Sequence, residues 1–254
     1  MHEFVSADRL YGKGIFTTLA IFDGNPFVWE KHWRRLTDNA AKLAIDISEY
    51  DEESVANALA EIISKNQVAT GRARITFSDE SPSEVWDGGG ETKVGLSIIT
   101  AGPRSIPDNF KLSVSPHRVN TTSPLTGIKS CNYLEHLLAF DEGRSRGFDE
   151  AIRFNERGEI TSTCMANVFW SKGEKLFTPS LKTGCLAGTT REFVLENLEC
   201  EEVEAEIEAL TEADGIFLTS AGIGIVEVAV FEGRQLGHRD HPICDLLPKA
   251  EPPA

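Results

Sequence analysis

Apolar residues recur along this chain at two spacings. Residues 30–45, EKHWRRLTDNAAKLAI, place Trp33, Leu36, Ala40 and Leu43 at intervals of three and four. That spacing predicts an amphipathic helix, with Glu30 in the first turn where the helix dipole favours an acid. Residues 50–67, YDEESVANALAEIISKNQ, repeat the pattern with acids at the start and predict a second helix ending near Asn66. The runs RARITFS (72–78) and KVGLSIITA (93–101) alternate or are continuously apolar, as strands are, and the intervening DESPSEVWDGGG is a turn-rich loop. FKLSVSPHRV (110–119) is a further strand.

Periodicity lapses at GPRSIPDN (102–109) and again at NTTSPLTG (120–127). Beyond these breaks the pattern predicts a helix over about 132–146. The strand DEAIRFN follows, then a turn at ERGE and strands in ITSTCMANVFW and KLFTP. A helix over GTTREFVLENL, a strand in ECEEVEAEI and a short helix in IEALTEAD come next, and glycine-interrupted strands over 215–233 close the chain. This order predicts an α+β fold with two lobes. The expected organisation is a small N-terminal α/β lobe over 1–108, a connecting strand and loop over 109–126, and a larger lobe over 127–254.

Composition narrows the class. A net charge of −15 over 254 residues argues against a nucleic-acid binder, because a polyanion needs a basic surface. No stretch approaches the roughly 18–20 apolar residues of a membrane span. The N-terminal residues MHEFVSADRL have neither the basic nor the apolar region of a signal peptide. A cytoplasmic protein is expected. Five scattered cysteines without a CxxC pair suit buried thiols better than a disulfide framework or zinc site.

Four features could carry chemistry. Lys129, in GIKSCNYLEHLL (127–138), precedes an apolar-periodic run. If desolvated, its amine would lose its proton more readily and suit Schiff-base chemistry, although a surface lysine at a helix mouth is the commoner arrangement. AGTTREF (187–193) sets Thr189 and Thr190 at a helix start, where free N–H groups and hydroxyls can hold a phosphate; an ordinary threonine N-cap has the same sequence. LTSAGIG (218–224) offers Ser220 and Ala221 in a small-residue turn after a strand, a pattern a plain bulge shares. Arg35, three residues after His32, could clamp an anion or simply lie along the helix flank. A Schiff-base lysine with a three-part phosphate cup is what a pyridoxal phosphate site requires.

The order of these motifs resembles the fold-type IV pyridoxal phosphate enzymes, a family of aminotransferases and 4-amino-4-deoxychorismate lyases. DRLYGKGIFTTLAIFDGNPFVWEKHWRRL resembles its N-terminal signature, and GIKSCNYLEHLLAFDEGRSRGFDEAI the block with the catalytic lysine. GEITSTCMANVFW…LFTPSLKTGCLAGTTRE resembles the cofactor-binding block, and LTSAGIGIVEV the closing phosphate turn. The resemblance covers nearly the whole chain. It implies a D-amino-acid-aminotransferase-like two-lobed architecture, pyridoxal 5'-phosphate as cofactor, a small amino substrate and a homodimer. Lys129 would carry the cofactor and move the proton. Arg35, Thr189, Thr190, Ser220 and Ala221 would hold its phosphate, while Tyr11, Phe16 and Thr18 would line the substrate side. Phe16 and Thr18 share one face of a strand by the period of two.

Details such as GIFTT, LSVSPHRVN and CMANVFW are similar to the lyase branch, whose β-elimination yields 4-aminobenzoate and pyruvate. A class IV aminotransferase for D-amino acids, branched-chain amino acids or (R)-amines is the alternative, and a cofactor-poor binding relative is the third reading. The chain departs from the family pattern in three places. Ser162 stands where the family has the acidic partner of the pyridine nitrogen. The nearby Glu159 is offset by three positions, an odd number that on a regular strand turns a side chain to the other face. Lys13 replaces an aspartate of the signature, and the opening strand ahead of ADRL is largely missing. A neutral hydroxyl at 162 implies that amino transfer suffers more than elimination.

Overall fold

The structure is a computed structural model and describes residues 5–84, 87–88, 92–237 and 240–248. It groups into two compact units. The first runs to Pro103 and takes in Ile128–Tyr133. The second comprises Arg104–Gly127 and, among the described residues, 134–248. Residues 109–126 therefore group with the second unit instead of forming a separate connector, and the segment around Lys129 groups with the first. The reason for the latter is a strand-like bridge between Ser130 and Ile15.

In the first unit, strands β1 (Gly14–Phe22), β2 (Gly71–Asp79) and β3 (Val94–Ala101) form an antiparallel sheet in that order. The two-residue strand Asn25–Pro26 extends it beside β1. Helices α1 (Trp29–Lys42) and α2 (Glu52–Lys65) supply the other layer. Alternation decides what each strand face does. Ile15, Leu19 and Ile21 of β1 pack with Ala73, Ile75 and Phe77 of β2 against Leu36, Ala40, Val55, Leu59 and Ile63 of the helices. Phe16 and Thr18 lie on the opposite face, as period two requires.

Helix α1 stops at Lys42, short of the predicted 45, for a reason visible in its backbone. Ala44 takes a left-handed φ of 50°, its N–H donates to Ala41 O, and the Ile45 N–H donates to Ala40 O at 2.9 Å. This is a Schellman closure, and its customary apolar residue after the turn, here Ile45, prolongs the hydrophobic pattern past the helix end. Helix α2 opens at Asp51, whose carboxylate accepts the Ser54 N–H at 2.7 Å.

The second unit contains two five-stranded sheets. One has the order β6 (Ile160–Thr163), β5 (Glu150–Phe154), β4 (Lys111–Val114), β12 (Val230–Phe231), β13 (Arg234–Gln235). The other has the order β9 (Glu201–Val203), β8 (Lys175–Pro179), β7 (Asn167–Lys172), β10 (Gly215–Ser220), β11 (Gly224–Glu227). The predicted strand over 160–170 is thus two strands in different sheets. Leu112, Ile152, Phe154, Ile160, Val168, Trp170, Ile216 and Leu218 fill the space between the sheets. Phe169 and Phe217, one residue out of phase, face the other way and pack with Val194 of α4 (Thr189–Asn197). Ala151 and Cys164 pack against Ala139 of α3 (Leu134–Ser145). Strands buried on both faces read as continuous apolar runs, which is why VFW and IFL do not alternate.

The start of the chain contributes the strand Val5–Ser6, paired with Pro82–Glu84, so a short opening strand exists within the described residues. The predicted loop over 79–90 carries that strand and another at Asp87–Gly88, and its residues 85, 86, 89 and 90 lie outside the described set. No described helix is long and apolar enough to cross a membrane.

Leu59, fully buried between helix and sheet, gives a direct test of the first unit's core. Leu59→Ala is expected to lower the unfolding free energy by about 2–5 kcal/mol, and the volume-conserving Leu59→Met by less than about 1.5 kcal/mol. Urea unfolding of the two variants measures the difference.

Candidate active site

Lys129 is carried on a short extended segment annealed to the start of β1. The Phe16 N–H donates to Lys129 O at 3.0 Å, and the Cys131 N–H donates to Gly14 O at 2.8 Å. The glycines of YGKG permit this close approach. A Cβ on Gly14 would meet Cys131 Sγ and Phe77 O at 3.0 Å, and Gly12, at a φ of 64°, lies against Asn132, whose Nδ2 donates to Gly12 O. Lys13, the departure from the family signature, points elsewhere. Its Nζ pairs with the Asp79 carboxylate at 2.7 Å at the far end of β2.

The Lys129 amine sits among aromatics and cations. Its Nζ is 4.5 Å from the centre of the Phe16 ring and 4.9 Å from that of Tyr133, and it donates to Tyr133 Oη at 3.3 Å. The two rings meet edge to face at 5.2 Å. Desolvation, assisted by the charges of Arg35 and Arg74, lowers the Lys129 pKa to about 7. An ordinary lysine is almost wholly protonated at neutral pH, whereas at this pKa about half of the amines are unprotonated there. Arg74, opposite Thr18 across the β1–β2 ladder, has its Cζ over the Phe16 ring, 3.6 Å from the ring centre. Phe16, Thr18, Arg74 and Lys129 thus form one surface.

Behind that surface runs a buried polar chain. Arg35 Nη2 donates to Thr17 Oγ1 at 2.7 Å, and Thr17 Oγ1 lies 2.6 Å from His32 Nδ1. Thr17 and His32 are both 0% exposed. Burial, with Arg35 and Lys129 nearby, holds His32 well below the usual histidine range, so it is neutral.

In the second unit, Thr189 and Thr190 are the first two residues of α4, and Gly188, not a threonine, is the N-cap. The first-turn amides, with two buried threonines, present a site suited to an anion. Asn167 braces the approach. Its Nδ2 donates to Leu186 O, and its Oδ1 lies where a Cβ on Gly188 would be. Ser220 ends β10, and the turn over 221–223 leads back to Gly224, with which Ser220 is paired.

Ser162 sits at a bulge in β6, with Arg153 as its ladder partner on β5, and its hydroxyl donates to Thr163 O at 2.9 Å. Arg153 is buried. Its guanidinium donates to His117 O and Arg118 O and pairs with Glu135. The parity argument made from sequence for Glu159 does not apply, because that residue is not on the strand. Glu159 precedes the strand, in a turn where Arg157 and Asn155 donate to its carboxylate at 2.7 Å. Glu150, buried, accepts N–H groups from Ala151, Cys164 and Met165 and the Thr163 hydroxyl, and burial raises its pKa.

The first unit therefore brings Lys129, Phe16 and Arg35 together, with Thr18 opposite Arg74, while Tyr11 lies exposed at the end of the helix Ala7–Tyr11. The second unit carries Ser162, Thr189, Thr190, Ser220 and Ala221. Sequence reasoning missed Thr17, His32, Arg74, Tyr133 and Asn167. Arg74 was legible in principle, since RARITF alternates, but its pairing with Thr18 depends on strand register. No group of metal-ligating side chains occurs among the described residues.

The family model for amino-transferase class IV matches residues 14–231. The aminodeoxychorismate lyase of Bacillus subtilis is 30% identical over 250 residues, covering 94% of this chain and 84% of its own. The D-alanine aminotransferase of Listeria monocytogenes is 26% identical, covering 89% and 81%. Among solved structures, the branched-chain aminotransferase of Thermoproteus uzoniensis superposes with a TM-score of 0.86 at 25% identity, covering 95% of this chain and 85% of its own.

The lowered Lys129 pKa predicts its reactivity. Reductive trapping with a small aldehyde, read by peptide mass spectrometry, should rise as pH increases through about 7, while ordinary lysines stay protonated up to about 10.4. Arg74→Gln removes one of the nearby positive charges and should move the Lys129 midpoint upward.

Proposed function

The chain belongs to the amino-transferase class IV family, and within it we propose the activity of a 4-amino-4-deoxychorismate lyase that uses pyridoxal 5'-phosphate and releases 4-aminobenzoate and pyruvate. The observation that carries this reading is the similarity to a lyase along nearly the full length of both chains. The serine at position 162 favours the same choice. A neutral hydroxyl cannot hold a proton on the pyridine nitrogen as a carboxylate does, and its ladder partner is a buried cation, Arg153.

The residues fit the cofactor. A lysine amine with a pKa lowered to about 7 supports covalent attachment; in the second unit the first turn of α4 with Thr189 and Thr190, and the Ser220–Ala221 turn, are each suited to an anion such as a phosphate, and in the first unit Arg35 is a guanidinium of matching chemistry. When bound, the cofactor supplies an electron sink for a carbanion at the substrate α-carbon. Lys129 takes the α-proton as a free amine, and its pKa of about 7 lets it return that proton at the same pH. Phe16 and Tyr133 flank the amine and keep water from it, so its basicity stays depressed. Arg74 and Thr18 extend the same surface toward the substrate, with Tyr11 further out. We assign the working form to a cytoplasmic homodimer acting on a small amino substrate.

The test is a pair of half-reactions. Protein reconstituted with pyridoxal phosphate should release pyruvate from 4-amino-4-deoxychorismate with no keto acid present, followed through lactate dehydrogenase. Lys129→Ala should lower the rate by about a thousandfold or more. Ser162→Glu should raise amino transfer from D-alanine to 2-oxoglutarate relative to elimination. Turnover seen only with a keto-acid acceptor makes the chain an aminotransferase, and a protein that takes up no cofactor makes it a binding relative.

A further inference from the structure

Helix α4 opens with a residue that its position disfavours. Arg191 is the third residue of the helix, in the first turn, where the helix dipole favours an acid and repels a cation. It is 4% exposed, so water does little to screen that repulsion. Both protons of its Nη2 are used, one donated to Pro179 O at 2.9 Å and one to the Glu202 carboxylate at 2.5 Å. Its Nε is buried without a partner among the described residues. A methionine would fill the same space with neither the cation nor the orphaned N–H. In return the arginine makes a tie. Pro179 ends β8, and Glu202 is the middle residue of β9, its parallel neighbour, so one nitrogen fastens the first turn of α4 to two strands. Asn167 of β7 fastens the residues just before the helix, through Leu186 O at 2.8 Å and against Gly188.

Between these two ties in sequence lie Thr189 and Thr190, both 3% exposed, and the N–H groups that a helix start leaves without intrahelical acceptors. A helix of nine residues does little by itself to hold its first turn. We propose that Arg191 is a positioning residue which, by joining the first turn of α4 to Pro179 and Glu202, holds those N–H groups and the two threonines in the arrangement that takes an anion, and so sets the affinity for the phosphate of the cofactor. A guanidinium suits the task because its donors are fixed in one plane, whereas a lysine ammonium is a rotating point charge. Arg191 acts through the helix and not by touching the ligand. The role rests on the proposed use of pyridoxal phosphate but not on the choice between lyase and aminotransferase.

Arg191→Met keeps the apolar stem and removes the donors, Arg191→Lys keeps the charge, and Glu202→Gln keeps an acceptor oxygen while removing the charge of the partner. Dissociation constants for pyridoxal 5'-phosphate come from absorbance and tryptophan fluorescence titrations of the full chain. They should rise about tenfold in Arg191→Met and about threefold in Arg191→Lys and in Glu202→Gln. The double variant of Arg191→Met and Glu202→Gln should be no worse than Arg191→Met alone, because both break one tie. Pyridoxal, which lacks the phosphate, should bind wild type and variants alike. The inference is overturned if Arg191→Met binds pyridoxal phosphate as tightly as wild type, if the losses multiply in the double variant, or if pyridoxal is weakened equally. Tighter binding by Glu202→Gln overturns it too, since the arginine would then act through a charge that Glu202 offsets and not through the tie. Lower melting temperatures of the cofactor-free variants with unchanged affinity would likewise reduce Arg191 to a structural role. Should Arg191→Met fail to fold, Glu202→Gln, at the exposed end of the pair, decides the matter alone. Wild-type protein that binds no pyridoxal phosphate overturns the proposed function together with this inference, whereas wild-type binding with unaffected variants overturns only the inference.

Discussion

Two backbone hydrogen bonds between residues distant in sequence set the chemistry of the first unit. They run from Phe16 N–H to Lys129 O and from Cys131 N–H to Gly14 O, and they seat the lysine segment beside β1. Without them Lys129 would be one more solvated surface amine. With them its amine lies over Phe16 and beside Tyr133, and burial can act on its charge. The bonds in turn depend on absent side chains. A residue larger than glycine at 14 would contact both Cys131 and the β2 backbone, so the spacing of glycines in YGKG is a steric requirement of the lysine's seat.

Electrostatics at this seat run against the rest of the molecule. The chain carries a net charge of −15, yet Lys129, Arg35 and Arg74 interact with one another across one small region. Such a concentration of positive charge departs from the net charge of the chain and is the kind of local field that favours an anionic ligand. It also disfavours protonation of the Lys129 amine. The substituted signature residue Lys13 is spent on Asp79 and adds to a separate ion pair. In the second unit the candidate anion-binding elements are neutral donors, backbone amides and threonines at the start of α4, and Arg153, the ladder partner of Ser162, is already tied to backbone carbonyls and Glu135.

Much of this was legible in the chain before any coordinates. The amphipathic spacing of Trp33, Leu36 and Ala40 placed α1, and only the Schellman turn at Ala44 made the periodic run outlast the helix. The alternation in GIFTTLAIF correctly put Phe16 and Thr18 on one face. ITSTCMANVFW was harder, because strands buried on both faces lose alternation and a single apolar run conceals a change of sheet. The parity argument about Glu159 assumed a regular strand, and a turn and a bulge removed that premise.

What the sequence determined by itself was local and ordinal: where periodicity begins and ends, which residue types can carry an amine or cradle a phosphate, and the order in which those motifs occur. Those properties depend on neighbours within a few residues, or on the linear order of motifs, and the chain states both directly. Tertiary structure alone decided that Arg74 faces Thr18, that Thr17 joins His32 to Arg35, and that Lys129 groups with residues more than a hundred positions earlier. Strand register and burial cause these facts. Both arise only when distant segments meet, and a pKa responds to that meeting and not to the residue's own identity.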